Sequence, residues 1–131
     1  MAIESYKDLT VWQKSMDLVI KIYQLTHVLP VDERFGLISQ MRRAAVSVSS
    51  NIAEGHRRNS RKDYAKFVSY AFGSGSELET QLEIVDRLGY VPGQSVTETR
   101  LLLTEVMKML NVLVNKLDEQ PYTQQPTTHP L

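Results

Sequence analysis

The sequence predicts an all-α protein, an antiparallel up-down-up-down four-helix bundle, and three observations carry that expectation. Apolar residues recur at helical spacing in four separate segments. Three short links rich in Pro, Gly and capping residues divide those segments. No segment keeps the period-two alternation of a strand. Consecutive helices joined by short links must run antiparallel, so four of them close into a bundle.

The first helix carries Leu9, Trp12, Met16, Val19 and Tyr23 in steps of three and four, with a second stripe of Val11, Leu18, Ile22 and Leu25 beside it. Pro30 stops it, and Asp32 is placed to cap the next helix. That second helix is expected from about residue 33 to residue 54, with Gly55 as the left-handed residue beyond its end. Ser60 followed by Asp63 resembles a capping box and starts the third helix, which turns Tyr64, Phe67, Ala71, Leu78, Leu82 and Val85 inward and stops at Gly89. Ser95 with Glu98 starts the fourth, whose stripe is Leu103, Val106, Leu110, Leu113 and Leu117. These helices form one domain over residues 1–119, as 131 residues allow. Residues 120–131, "QPYTQQPTTHPL", hold three prolines and almost nothing apolar, and are expected to be a disordered tail.

Composition excludes several chemistries. Cysteine is absent, so disulfides, thiol catalysis and Cys-ligated zinc are ruled out. No apolar run approaches the roughly 18 residues of a membrane span. No leader is visible either, so a cytoplasmic protein is expected. His27, His56 and His129 are scattered, and none completes the Glu-x-x-His pairs of bundle metal sites. "GSGSEL" contains GxG but lies mid-helix with no strand before it, unlike a dinucleotide loop. Ser47, Ser49 and Ser50 have no His–Asp arrangement to activate them. Glu79 and Glu83 read as a solvated face. The expectation is therefore no enzyme, no cofactor and no metal.

"SQMRRAAVSVSSNIAEGHRRNS", residues 39–60, is rich in small and polar residues where leucines would be usual. Close helix packing explains this. Folding the second helix back on the third puts Gly73 and Gly75 opposite the region of Gln40 to Ala44, to about one turn. Glycine costs a helix about 1 kcal/mol against alanine, a cost that a close approach of backbones can offset. Ala44, Ser47, Gly73 and Gly75 are therefore assigned to close packing. Between the first two helices, Trp12 falls opposite Ser49. Buried polar residues need partners, and Gln40, Arg43, Asn51 and Glu77 form the expected polar core. Glu77 is expected to pair with Gln40, Arg42 or Arg43, and Asn51, near the level of Tyr64, to bond across the bundle.

The net charge of zero conceals an asymmetry. Residues 39–66 hold seven basic residues against two acidic ones, +5, and the remainder carries −5. Within that stretch His56, Arg57, Arg58, Arg61, Lys62 and Lys66 form the candidate site for a polyanion, RNA or DNA, held by charge and counterion release. A bundle helix needs only a face of about 100° to build its core. The double stripe of the first helix and the surplus Leu101, Leu102, Met107, Met109, Val112 and Val114 of the fourth exceed that, so a homo-oligomer is expected.

The stretches "YKDLTVWQKSMDL", "LISQMRRAAVSVSSNIAEG" and "DYAKFVSYAFGSGSELETQL" resemble, in this order over about residues 6 to 90, the proteins encoded by intervening sequences within bacterial 23S rRNA genes. The resemblance implies a four-helix bundle assembled as a ring-shaped homopentamer, and it implies no enzyme. This family in turn resembles the accessory proteins of diversity-generating retroelements, pentameric bundles that bind nucleic acid and a reverse transcriptase. A partner protein of that kind is therefore among the partners the resemblance implies.

Overall fold

The computed structural model describes residues 5–118, and the expected tail lies outside the described residues. Four long helices build it: α1 (Thr10–His27), α2 (Ser39–His56), α3 (Arg61–Leu88) and α4 (Gly93–Asp118). No strand occurs among the described residues. Pairs across each seam run in opposite numerical directions. Lys14–Glu105 and Lys21–Glu98 link α1 to α4, and Ser15–Ser49 and Thr26–Arg42 link α1 to α2. Ser74–Ser47 and Phe67–Gly55 link α3 to α2, and Gly75–Met107 and Glu83–Arg100 link α3 to α4. Each neighbouring pair is thus antiparallel, as the short links require. Leu18, Ile22, Met41, Ile52, Leu78, Leu82, Leu103 and Leu110 lie fully buried at the centre. Among the described residues no helix is long and apolar enough to cross a membrane.

Local chemistry sets the ends. Ser60 Oγ accepts from the Asp63 amide at 3.1 Å and caps α3. Gly89, at φ 68°, ends α3 by donating to the carbonyls of Val85 and Asp86. Three boundaries differ from expectation. Asp32 does not cap α2; the side-chain cap comes from Glu33, which accepts from the Leu37 amide at 3.3 Å and caps the turn that leads into α2. The chain there passes through a π turn, Arg34–Ile38, because Gly36 leaves helical geometry. Gly55 is a buried residue inside α2, without positive φ, and α2 runs on to His56. Finally, α4 begins two residues before Ser95, whose amide bonds the Pro92 carbonyl.

Of the two stripes on α1, Val11, Leu18, Ile22 and Leu25 enter the core together with Val19. The rest of the other stripe faces outward beside α2: Trp12 is half-buried, while Met16 and Tyr23 are exposed, as is Ile20 next to them. On α4 most of the apolar surplus packs against the core of its own chain, and Leu101 and Val112 remain open.

Candidate interaction surfaces of the bundle

The serines of α2 are joints between helices. Ser15 donates to the Trp12 carbonyl at 2.6 Å, so its one proton is used, and Ser49 is the donor in their buried 2.9 Å contact. Farther along, Thr26 donates to the Ile22 carbonyl and accepts from Arg42 Nε at 2.8 Å. The Arg42 guanidinium lies 4.5 Å from the centre of the Tyr23 ring. On the opposite side of α2, Ser74 donates to Ser47 Oγ at 2.8 Å. Asn51 Nδ2 donates to the Ser47 carbonyl at 2.9 Å and to its hydroxyl at 3.0 Å. The bond expected of Asn51 across the bundle is not made among the described residues, because Ser47, one turn back on the same helix, takes its amide.

The expected polar core is not formed: Gln40, Arg43 and Glu77 are exposed and, with Ala44, Ser47 and Ser74, line a cleft of about 170 Å³ between α2 and α3. The expected pairing of Glu77 with Gln40, Arg42 or Arg43 is not made. Glu77 accepts instead from Gln81 Nε2 at 3.3 Å, one turn along its own helix. Arg42 cannot reach it because its position on α2 faces α1, where Thr26 and Tyr23 hold it. Arg43 and Glu77 are both exposed, and at exposed sites water competes well with an ion pair.

The glycine assignments change in the same way. Ala44 is buried in the core, and Ser47 bridges to α3 as expected of a close seam. Gly75, however, meets the Met107 thioether of α4 and not α2. Gly73 meets nothing within 4 Å among the described residues and is exposed. Successive helical residues turn by about 100°, so Ser74 faces α2 while its neighbours on either side point elsewhere. The close approach of α2 to α3 occurs at Gly55. A Cβ built there would lie 2.9 Å from Phe67 Cβ and 3.2 Å from the Tyr64 carbonyl oxygen.

The basic cluster gathers at the end where α2 leads into α3, yet much of it is engaged. His56 sits edge-on to Tyr64, ring centres 5.8 Å apart, and burial pushes the Tyr64 phenol up from its ordinary pKa. Arg57 lies over Tyr6. Arg58 pairs with Glu54 at 2.6 Å and stacks over Phe67. Arg61 donates to the Lys116 carbonyl in the last turn of α4. Lys62 and Lys66, one turn apart on α3, are exposed and have no partner among the described residues.

Beside that end, an apolar groove of about 250 Å³ runs between α1 and α2, with Tyr6, Trp12, Met16, Val19, Val46 and Ser49 in its walls. Tyr6 and Trp12 meet edge to face at 5.2 Å. Trp12 and Ser49, expected to lie opposite one another, both line this groove.

The family model for the 23S rRNA-intervening sequence protein matches residues 7–112. The chain belongs to that family. A similar fold occurs in the crystal structure, at 1.70 Å, of a protein of unknown function from the S23 ribosomal protein family of Bacteroides thetaiotaomicron VPI-5482. The two are 25% identical with a TM-score of 0.75, over 80% of this chain and 98% of that one. No curated protein matches the chain.

For this family member, sequence reasoning missed the Arg42–Thr26–Tyr23 contact and the bond from Tyr90 to Glu33 at 3.0 Å. The second ties the α1–α2 link to the α3–α4 link, and the acceptor Glu33 holds the Tyr90 phenol above its ordinary pKa. Its partners lie 57 positions apart, and no local pattern announces it. Arg42 could have been found: on α2 it shares a face with Ser49, already assigned to the α1 side.

Proposed function

We propose that this protein is a non-enzymatic, cytoplasmic scaffold that works as a homo-oligomer, a pentameric ring as its family resemblance implies. What carries this reading is the outward ridge of α1. Met16, Ile20 and Tyr23 are 36%, 54% and 41% exposed in the single chain, and Trp12 stands half-buried beside them. Burying a large apolar side chain contributes about 1.5–3 kcal/mol, so a continuous ridge of this kind favours association. Sedimentation equilibrium at micromolar concentration is expected to give a particle of about five times the 15.0 kDa chain mass. A 15.0 kDa particle would remove the proposal.

A second reading, binding of RNA or DNA through residues 56–66, rests on Lys62 and Lys66, the two cations of the cluster left free among the described residues. In a ring they would recur in every copy and form a belt. Binding of this kind weakens linearly in log affinity against log salt, with a slope near −0.9 per phosphate contact on duplex DNA. The double variant Lys62→Glu and Lys66→Glu should flatten that slope. No detectable binding of RNA or DNA by the unaltered protein at low salt would eliminate this reading. The assembly reading stands ahead, because Arg58 and Arg61 are already committed within the chain.

A further inference from the structure

Among the described residues nothing packs against Gly73. It lies well inside α3, exposed, with open space where its side chain would be. Only proline is less favourable in a helix interior, and Gly55 and Gly75 each have a close neighbour that accounts for them. On the α3 surface Gly73 sits between Tyr70 and Glu77, positions one turn before and after it, with Ile84 further along the same face. Tyr70 and Ile84 are both exposed. Gly73 is thus a notch in a partly apolar face.

The hydroxyl joints fix what stands level with that notch. Ser15 meets Ser49, and Ser47 meets Ser74. Stepping two residues along α2 therefore brings Asp17 to the height of Ser74, and Met16 to the height of Gly73, to about one turn. Arg42, stacked on Tyr23 at the far end of the α1 ridge, comes to the height of residue 79, close to the Glu77 carboxylate. In a cyclic ring, copies are related by rotation alone and use two different surfaces. With bundles standing along the ring axis, groups of equal height meet.

We propose that the α1 ridge of one copy packs against the outer face of α3 in the next, with Met16 seated over Gly73 and Arg42 facing the Glu77 region. The proposal rests on the assembly reading and adds the surfaces that meet. Methionine, unbranched and flexible, suits a notch of this shape. Both surfaces flank α2, so each copy turns the next in the same sense, and the outer side of α2 with Val46 and Ser50 faces the axis. Leu101 and Val112 of α4 stay on the outside.

The chain has no cysteine, so a double variant Met16→Cys with Gly73→Cys carries a clean pair of thiols. Treating the assembled variant with a short bis-maleimide should give a denaturing-gel ladder at multiples of the 15.0 kDa chain, and neither single variant should give one. An assembled particle that yields only single-chain bands overturns this interface and leaves the assembly reading intact. A variant and unaltered protein that both sediment at 15.0 kDa overturn both.

Discussion

Leu78→Ala is expected to lower the unfolding free energy by about 2–5 kcal/mol, as removal of a wholly buried leucine does when its surroundings cannot collapse. The register places Leu78 at the height of Arg43, next to Ala44 and Ala45, both buried. Those neighbours are too small to swing into the gap. The helices cannot close over it either, because the Ser47–Ser74 bond and the Gly55 contact already hold α2 and α3 at their nearest approach. Leu101→Ala is the matched control. Leu101 is 68% exposed, and its truncation should change stability by no more than about 0.5 kcal/mol. Urea unfolding at one fixed protein concentration compares the two, since an oligomer's apparent stability depends on concentration. Equal midpoints for the two variants would mean that Leu78 is not at the centre of the core.

The fold was legible because its signals are local. Ser60 and Gly89 act within a few residues of themselves, and the structure uses both as caps. Four apolar stripes at helical spacing and three short links left little choice of architecture. Gly55 was misread because a glycine after a polar stretch looks like a helix stop. The deciding contact, with Tyr64 and Phe67, comes from the next helix and has no local trace. The π turn at Arg34–Ile38 was missed for a related reason: it depends on Gly36 leaving helical geometry, which composition does not reveal.

The surfaces were legible to about one turn and no better. Folding α2 on α3 by loop position put Glu77 near Gln40, and both line one cleft, but it did not bring out the Ser47–Ser74 pair. A shift of a single residue turns a side chain by about 100°, enough to send Gly75 to Met107 and Gly73 to solvent. The basic cluster shows a different limit. Charge counting treats every cation as available, but Tyr6 and the Lys116 carbonyl, both distant in sequence, engage Arg57 and Arg61. Only tertiary structure separates Lys62 and Lys66 from the others.

Gly55→Ala should destabilise the bundle even though alanine is the better helix former. Its Cβ would lie 2.9 Å from Phe67 Cβ, 3.1 Å from Tyr64 Cδ1 and 3.2 Å from the Tyr64 carbonyl oxygen, against an ordinary carbon contact of about 3.5–4.0 Å. Phe67 Cβ and the Tyr64 carbonyl move only with the α3 backbone, so the seam itself must open. Overpacking of this kind costs about 1–3 kcal/mol, against a gain of about 1 kcal/mol in helix propensity. Opening the seam also pulls Phe67 from under Arg58 and Tyr64 from His56, two contacts at the same end. A net loss of about 1–2 kcal/mol is therefore expected, the upper part of that overpacking range less the propensity gain. Gly75→Ala tests the argument from the other direction. There the obstruction is the flexible end of Met107, which can rotate aside, and the propensity gain should nearly cancel the strain. Chemical denaturation should rank Gly75→Ala close to the unaltered protein and Gly55→Ala well below it. The reverse order would mean that α2 and α3 are not held by their backbones at Gly55.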